Sequence, residues 1–180
     1  TILLLVIALI APWVVHLAAP KQRPLALVGV VAVFLLYGIF AENPLLRWEM
    51  WAGLAAGILT WLMEGAASAL YMSAMIDALE PHGLAVDTTS AGIRWSLVVS
   101  LLSGLTLVFF YAAARPRFGP GPRTAVTVAI ALWCGSVLVA LIGYQMLHLF
   151  PPALLVTWGA TGLVEWVIAG LVGGWIYRET

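Results

Sequence analysis

The chain has 180 residues, of which 63% are hydrophobic and only 9% are charged, and its mean hydropathy is +1.06. Soluble domains are typically about 45–50% apolar and about 25% charged, so this composition excludes an ordinary soluble domain and indicates a membrane protein. Eight basic and eight acidic residues cancel, which leaves no basic field to attract nucleic acid.

Six apolar runs follow one another along the chain, each roughly 17–25 residues long and able to cross a hydrocarbon core of about 30 Å as an α-helix. They cover residues 2–19, 25–41, 51–76, 95–114, 125–147 and 153–177. The first run lacks the basic flank and the cleavage site of a signal peptide, so we expect a retained span. The sequence therefore predicts an all-α, polytopic membrane helix bundle with six transmembrane helices. Residues 1–48 are predicted to form an N-terminal hairpin and residues 49–180 a four-helix bundle.

Basic residues in the connections predict the orientation of this bundle. The even-numbered connections and the last residues carry Arg47, Arg115, Arg117, Arg123 and Arg178, whereas the odd-numbered ones carry Lys21 and Arg23, with Arg94 at the start of the fourth run. Because positive charge is enriched on the cytoplasmic side, both termini are predicted to be cytoplasmic.

The connection RPRFGPGPR, residues 115–123, contains three arginines and is rich in glycine. Prolines at three of its positions remove amide donors that a phosphate-binding loop needs. We therefore predict a stiff turn in which Arg115, Arg117 and Arg123 contact anionic lipid headgroups.

The longest connection, residues 79–92, contains Asp-Thr-Thr-Ser at positions 87–90, which predicts an N-cap for the next helix. Its acidic and histidine side chains have no fixed ligand spacing, and the single Cys134 lies in an apolar run, so no metal site and no internal disulfide are predicted. Catalytic motifs such as G-x-S-x-G, H-E-x-x-H and C-x-x-C are missing. The sequence thus gives no indication of an enzyme.

Two spans carry a carboxylate far from either end, Glu64 in the third and Glu165 in the sixth. Both lie about thirteen residues, roughly 20 Å, from the predicted cytoplasmic end of their spans. An ionised acidic residue at a helix centre costs about 2.5–3.5 kcal/mol on insertion scales. Each side chain must therefore be protonated, paired or directed into a polar interior.

Helical spacing predicts that both glutamates face other helices. Small and polar residues recur every three or four positions in the third span, at Gly53, Gly57, Thr60, Glu64 and Ser68, and in the sixth, at Gly162, Glu165, Ala169 and Gly173, beside a second G-x-x-x-G at Gly170 and Gly174. Small residues at this spacing are typical of close helix packing in membranes. The fourth span adds Ser96, Ser100 and Ser103 on one face, and Ser100 and Ser103 are predicted to donate hydrogen bonds to the glutamates.

The loop YAAARPRFGPGPRTA and the final span WGATGLVEWVIAGLVGGWIYRE carry a family resemblance. Residues 51–179 resemble a group of small, uncharacterised bacterial membrane proteins with four spans, in which such a loop joins the second and third. The resemblance implies a four-span bundle in a bacterial cytoplasmic (inner) membrane and implies no activity. Relatives often carry Asn or Asp at the position of Glu64, and residues 1–48 lie outside the resemblance.

Two functions fit these features. The favoured one is a non-catalytic subunit that packs against other membrane subunits, as in a respiratory or photosynthetic complex, with lipid, quinone or pigment at its apolar surface; minimal loops and uniformly apolar first spans support it. The alternative is a small proton- or cation-coupled transporter that uses Glu64 and Glu165. A protonated glutamate that serves only as a hydrogen bond between helices is compatible with either function.

Overall fold

The computed structural model describes residues 44–177, with side chains from Glu49 onward. The first two predicted spans and the hairpin that they would form lie outside the described residues, apart from residues 44–48. From Trp48 onward the described residues belong to one compact unit. Throughout this part of the chain the regular structure is helical and contains no strand.

Six α-helices and three short helices of other types make up the described chain. α1 is Pro44–Ala67 and continues as a 3₁₀-helix, Ser68–Leu70; α2 is Met72–Leu79, followed by a second 3₁₀-helix, Glu80–His82; α3 is Ser90–Phe118; α4 is Pro122–Trp133, which passes through a π-helix, Cys134–Leu138, into α5, Val139–Met146; α6 is Pro152–Ile176.

Four stretches of these helices are long and apolar enough to cross a membrane: Glu49–Leu70, Ser90–Phe118, Pro122–Met146 and Pro152–Ile176. They correspond to the third to sixth predicted spans, so the prediction of helices long and apolar enough to span a membrane is confirmed for this part of the chain. The third span differs in its length. It was expected to continue to Ile76. Instead, α1 ends at Ala67, and the helix is interrupted before α2 at Tyr71, whose φ is −136°.

The ends of α3 follow from its flanking residues. Thr89 caps the helix as predicted, because its hydroxyl accepts a hydrogen bond from the Ala91 amide. The helix continues past Pro116 to Phe118 and ends at Gly119, whose φ of +80° suits a residue without a side chain. The predicted nine-residue turn is thereby reduced to residues 119–121.

Buried residues form two clusters at different levels of the bundle. The first, which we call the small-residue cluster, contains Ala52, Ala56, Ala125, Ala129 and Ala169 together with Leu107, Val108, Tyr111 and Tyr177. The second, the aromatic cluster, contains Tyr71 and Phe150 with Leu141, Leu154 and Leu155, and Tyr144 and Trp158 pack against it. The polar site described next lies between the two along both α1 and α6.

Glycines bring α1 and α3 into backbone contact beside the small-residue cluster. A Cβ at Gly57 would lie 2.7 Å from the Cα of Leu101 and from the carbonyl oxygen of Ser100. On α3, a Cβ at Gly104 would overlap the backbone of both Gly53 and Gly57. The G-x-x-x-G of α1 thus packs on a glycine of α3 that sequence spacing alone did not single out.

Candidate functional site

Glu64 is half-buried on α1 and accepts a hydrogen bond from the hydroxyl of Tyr71. Tyr71 follows the 3₁₀-helix that ends α1, and its side chain is only 2% exposed. The phenol has a single proton, which it donates to Oε1 of Glu64. This contact therefore fixes the direction of the first hydrogen bond in the site.

Glu165 on α6 is the most deeply buried acidic side chain of the described chain, at 4% exposure. Its carboxyl group interacts with the Glu64 carboxyl. Its Oε1 is buried and accepts no hydrogen bond from an amide, hydroxyl or indole group in residues 49–177. Glu64 can satisfy Glu165 only as a donor, so at least one of the two carboxyl groups must carry a proton.

A hydrogen bond thus joins Tyr71 to Glu64, and the carboxyl group of Glu64 interacts in turn with that of Glu165. Two ionised carboxylates in contact repel each other strongly, and the surrounding helices provide little solvation for them. One shared proton removes this repulsion and supplies the missing donor. The arrangement is a pair of interacting carboxyl groups held by two helices.

The helix register explains why these two glutamates meet. α6 is antiparallel to the span Pro122–Met146, which comprises α4, the π-helix and α5 and which we call the third described span. Gly174 lies against Ala125 and Gly170 against Ala129. α6 also contacts α1, because a Cβ at Gly173 would lie 3.3 Å from the Cβ of Ala56. Glu165 lies eight residues before Gly173 on α6, and Glu64 lies eight residues after Ala56 on α1. The two glutamates are therefore at the same level of the two helices.

The serines expected to donate to the glutamates do not do so. Ser103 donates to the carbonyl of Val99 in its own helix, and Tyr71 takes the predicted role of donor. The register between α1 and α3 gives the reason. Gly57 lies against Leu101, and Trp61 donates a hydrogen bond to Ser96. Ser100 and Ser103 therefore lie beside residues that precede Glu64 on α1 by one to three helical turns.

The remaining polar residues of the predicted pocket bond within or beside their own helix. Thr60 donates to the Ala56 carbonyl and Ser68 to the Gly65 carbonyl. Ser100 is buried where α3 crosses Gly57. Hydroxyl groups of this kind satisfy themselves against the preceding helical turn, so they leave Glu165 without a hydroxyl partner.

The predicted packing glycines of α6 lie against the third described span. Gly170 and Gly174 contact alanines of α4, and a Cβ at Gly162 would lie 3.6 Å from Nε1 of Trp133. That indole nitrogen is buried and has no hydrogen-bond partner in the described part of the chain. The π-helix begins at the next residue, Cys134.

Sequence reasoning missed Tyr71 and Trp133. Tyr71 was detectable, because the stripe at Gly57, Thr60, Glu64 and Ser68 reaches position 71 with one more step of three. Trp133 had no such signal, because a tryptophan in an apolar span is ordinary and its partner glycine lies on another helix.

The three arginines of the predicted headgroup site differ in their burial and in their contacts. Arg115 is half-buried, and its guanidinium carbon lies 5.0 Å from the ring centre of Tyr177 and 5.9 Å from that of Tyr111. The guanidinium thus packs on aromatic rings at the end of the helix, and its predicted headgroup contact stays a prediction. Arg117 and Arg123 are exposed.

An apolar groove of about 330 Å³ lies between the third described span and α6. Its walls include Trp133, Leu138, Leu141, Leu155, Gly159 and Leu163, with Gln145 as a polar side chain. Such walls suit a hydrocarbon chain of the kind that a lipid, quinone or pigment carries. Within residues 44–177 no group of three or more His, Cys, Asp or Glu side chains is arranged to hold a metal ion.

No family model matches the chain, and neither a curated protein nor a solved structure matches it. The resemblance of residues 51–179 to four-span bacterial proteins stays a prediction.

Proposed function

We propose that this chain is a non-enzymatic membrane protein that takes up and releases a proton at Glu64 and Glu165, as the central step of a small proton-coupled carrier. The observation that supports this most is the contact between the two carboxyl groups inside the helix bundle. Intramembrane carboxylates that face a bundle interior commonly mark ion pathways and proton relays.

The environment of Glu165 favours exchange over a purely structural bond. A glutamate that only holds helices together is expected to have partners for both oxygens in every state. Glu165 has no amide, hydroxyl or indole partner for Oε1 in the described chain, so its hydrogen bonding depends on the proton held with Glu64. Loss of that proton must therefore change the contacts between α1 and α6.

Two helix irregularities flank the pair and support the same function. α1 leaves α-helical geometry at Ser68, one turn after Glu64, and the third described span is π-helical over Cys134–Leu138, level with Glu165. Interrupted helices line the ion sites of many transporters, and π-helical turns are frequent at functional sites. Both allow a local change without breaking the small-residue cluster.

A proton suits this pair better than a metal ion does. The described oxygens are those of two carboxyl groups and one phenol, and the phenol already directs its proton at Glu64. Hard metal cations require about six or more oxygen ligands, whereas a proton requires two. The proposed ligand is therefore a proton.

The proposal also includes the predicted membrane topology: six spans, both termini cytoplasmic, in a bacterial inner membrane. Cysteines introduced at Lys21 and Arg117 should react with an impermeant reagent from opposite sides. Labelling of both from one side would overturn this topology.

Proton flux into vesicles tests the function directly. The protein is reconstituted with an internal pH-sensitive dye, and a pH gradient or potassium diffusion potential is imposed. Glu165→Gln and Glu64→Gln keep hydrogen-bonding capacity but cannot ionise, so each should reduce protein-dependent flux roughly tenfold or more. Glu80→Gln, which changes an exposed acidic residue in the short 3₁₀-helix after α2, is the matched control and should leave flux unchanged. Equal flux in all four proteins would overturn the carrier proposal.

A subunit of a larger membrane complex is the second candidate, and an exposed face of α1 favours it. Gly65 and Ala66 are exposed there, as is Ala69 in the 3₁₀-helix that follows, and no atom of the described residues lies within 4 Å of a Cβ placed at Gly65. A small-x-x-x-small face directed away from the other described helices suits close contact with a further helix. In native gels of mildly solubilised membranes, a subunit should migrate with a far larger assembly, and Gly65→Leu should release it. Migration of the unmodified protein alone would contradict this second candidate.

A further inference from the structure

Trp133 has a buried indole N–H that no described hydrogen bond uses. The nitrogen atom is shielded from solvent and has no partner in residues 49–177, although the ring itself also lines the apolar groove. A buried donor without an acceptor is costly, about 1–3 kcal/mol, and such groups call for a specific explanation. Oε1 of Glu165 is likewise buried, and it lacks a donor other than the Glu64 carboxyl.

The two groups face the same place on α6. A Cβ at Gly162 would lie 3.6 Å from Nε1 of Trp133, and Glu165 follows Gly162 by one helical turn on the same face. Helical side chains lean toward the N-terminus and cover the turn before their own Cα. The Glu165 side chain therefore leans over Gly162, and the lack of a side chain at Gly162 leaves open the space between the carboxyl group and the indole.

We propose that Trp133 positions Glu165 in its deprotonated state by donating its indole N–H to the Glu165 carboxylate. In the protonated state, Glu165 bonds to Glu64. When the shared proton leaves to water, the two carboxylates repel each other and Glu165 turns toward Trp133. This inference rests on the proposed function, because it assigns the second position of the same proton site.

The titratable neighbours leave Trp133 as the available donor. Glu64 on α1 and Tyr71 interact with Glu165, and the Tyr71 proton is already directed at Glu64. The remaining titratable side chains on the spans packed against α6 are Glu49 near the start of α1, Arg94, Tyr111, Arg115 and Arg117 on α3, and Arg123, Cys134 and Tyr144 on the third described span. The arginines lie near the helix ends, Tyr111 accepts a hydrogen bond from Gly121, and Tyr144 belongs to the aromatic cluster. Cys134 follows Trp133 directly and is a weak donor.

Nitrogen-15 labelling of the tryptophan indoles provides the test. The protein in micelles is titrated across about pH 5 to 10, the range in which buried carboxyl groups commonly lose their protons. One indole proton resonance, identified by its loss in Trp133→Phe, should move downfield as the pair deprotonates. The same resonance should be independent of pH in Glu165→Gln. Trp175→Phe removes an indole that is 78% exposed and is the matched control.

Infrared spectroscopy of the carboxyl groups gives a second measurement. In Trp133→Phe, the midpoint at which the protonated carboxyl band disappears should rise by about one pH unit, because a hydrogen bond to the anion is lost. Trp175→Phe should keep the original midpoint. If Trp133→Phe does not fold, the spectra of the unmodified protein and Glu165→Gln carry the test, since one indole resonance must lose its pH dependence in the variant.

The possible failures are distinguishable. If no carboxyl band of the unmodified protein titrates, the proposed proton site is wrong, and this inference falls with it. If the band titrates but every indole resonance is independent of pH, or if Trp133→Phe keeps the original midpoint, the role of Trp133 alone is overturned.

Discussion

The two halves of the described bundle are built on different principles. In the small-residue cluster, alanines and glycines allow backbones to touch, as where Gly104 packs on Gly53 and Gly57. In the aromatic cluster, rings separate the helices: Trp158 stacks on Tyr144 at 5.9 Å and on Tyr71 at 6.1 Å between ring centres. Glu64 and Glu165 lie where one type of packing gives way to the other.

This difference indicates which half can move. Backbone contact between helices leaves no room for a change of spacing, and lipid provides no hydrophobic force to compensate for lost contacts. Stacked rings hold their attraction over a range of offsets and angles. We therefore expect changes that accompany the proposed proton exchange to occur in the aromatic cluster, where Tyr71 links the ring stack to Glu64.

The largest expected effect is at Gly104. Gly104→Leu forces a side chain into the backbone of α1, so the free energy of unfolding should fall by about 3 kcal/mol or more. Unfolding in mixed micelles measures this loss. Gly143→Leu is the control, because no atom of the described residues lies within 4 Å of its Cβ position, and the variant should be unchanged or slightly stabilised. Equal tolerance at both glycines would contradict the rigid packing assigned to the small-residue cluster.

A smaller effect is expected in the aromatic cluster. Trp158→Leu removes ring contacts with Tyr71, Tyr144 and Phe150, and ring pairs contribute about 0.5–1.5 kcal/mol each, so the loss should be about 2 kcal/mol. The same unfolding assay applies, with the exposed Trp175→Leu as control. A loss greater than that of Gly104→Leu would reverse the comparison between the two halves.

At Glu165, which lies between the two clusters, stability should depend more on the polar group than on the size of the side chain. Glu165→Leu leaves Glu64 without its carboxyl partner and should cost about 1.5 kcal/mol, whereas Glu165→Gln keeps a hydrogen-bonding group and should cost a small fraction of that. Thermal denaturation in detergent compares the two variants. If glutamine is as damaging as leucine, the stability of the site depends on the ionisable group, as the proposed proton exchange does.

The smallest effect is expected outside both clusters, in the loop before α3. The hydroxyl and amide of Thr89 donate to the Asp87 carboxylate and hold the pKa of that carboxyl below its usual value. A lowered pKa in the folded state means that the stabilisation is present above the unfolded value, about 3.9, and is lost as the pH falls through the folded value. The melting temperature of the unmodified protein should therefore include an acid-dependent loss that Asp87→Asn lacks. Identical acid dependence in the two proteins would show that this loop bond contributes nothing.

Much of the described fold was predictable because it depends on local properties of the sequence. Long apolar runs determine membrane-spanning helices, since a helix satisfies its own backbone in lipid. The Thr89 cap was predictable for the same reason, as donor and acceptor lie two residues apart. Similarly, helical spacing placed Gly53, Gly57 and Glu64 on one stripe of α1.

What the sequence by itself determined is therefore which helices form and which side of each is polar or small. Only the tertiary structure decided which polar groups meet, because the register between helices depends on contacts between residues far apart in the chain. Glycine contacts set the register of α1 against α3, so that Ser100 and Ser103 lie beside residues that precede Glu64 on α1. The break in the helix at Tyr71 places the phenol where it donates to Glu64 instead. The same packing places the indole of Trp133 over Gly162, one helical turn before Glu165. No property of Trp133 or Gly162 alone predicted this contact.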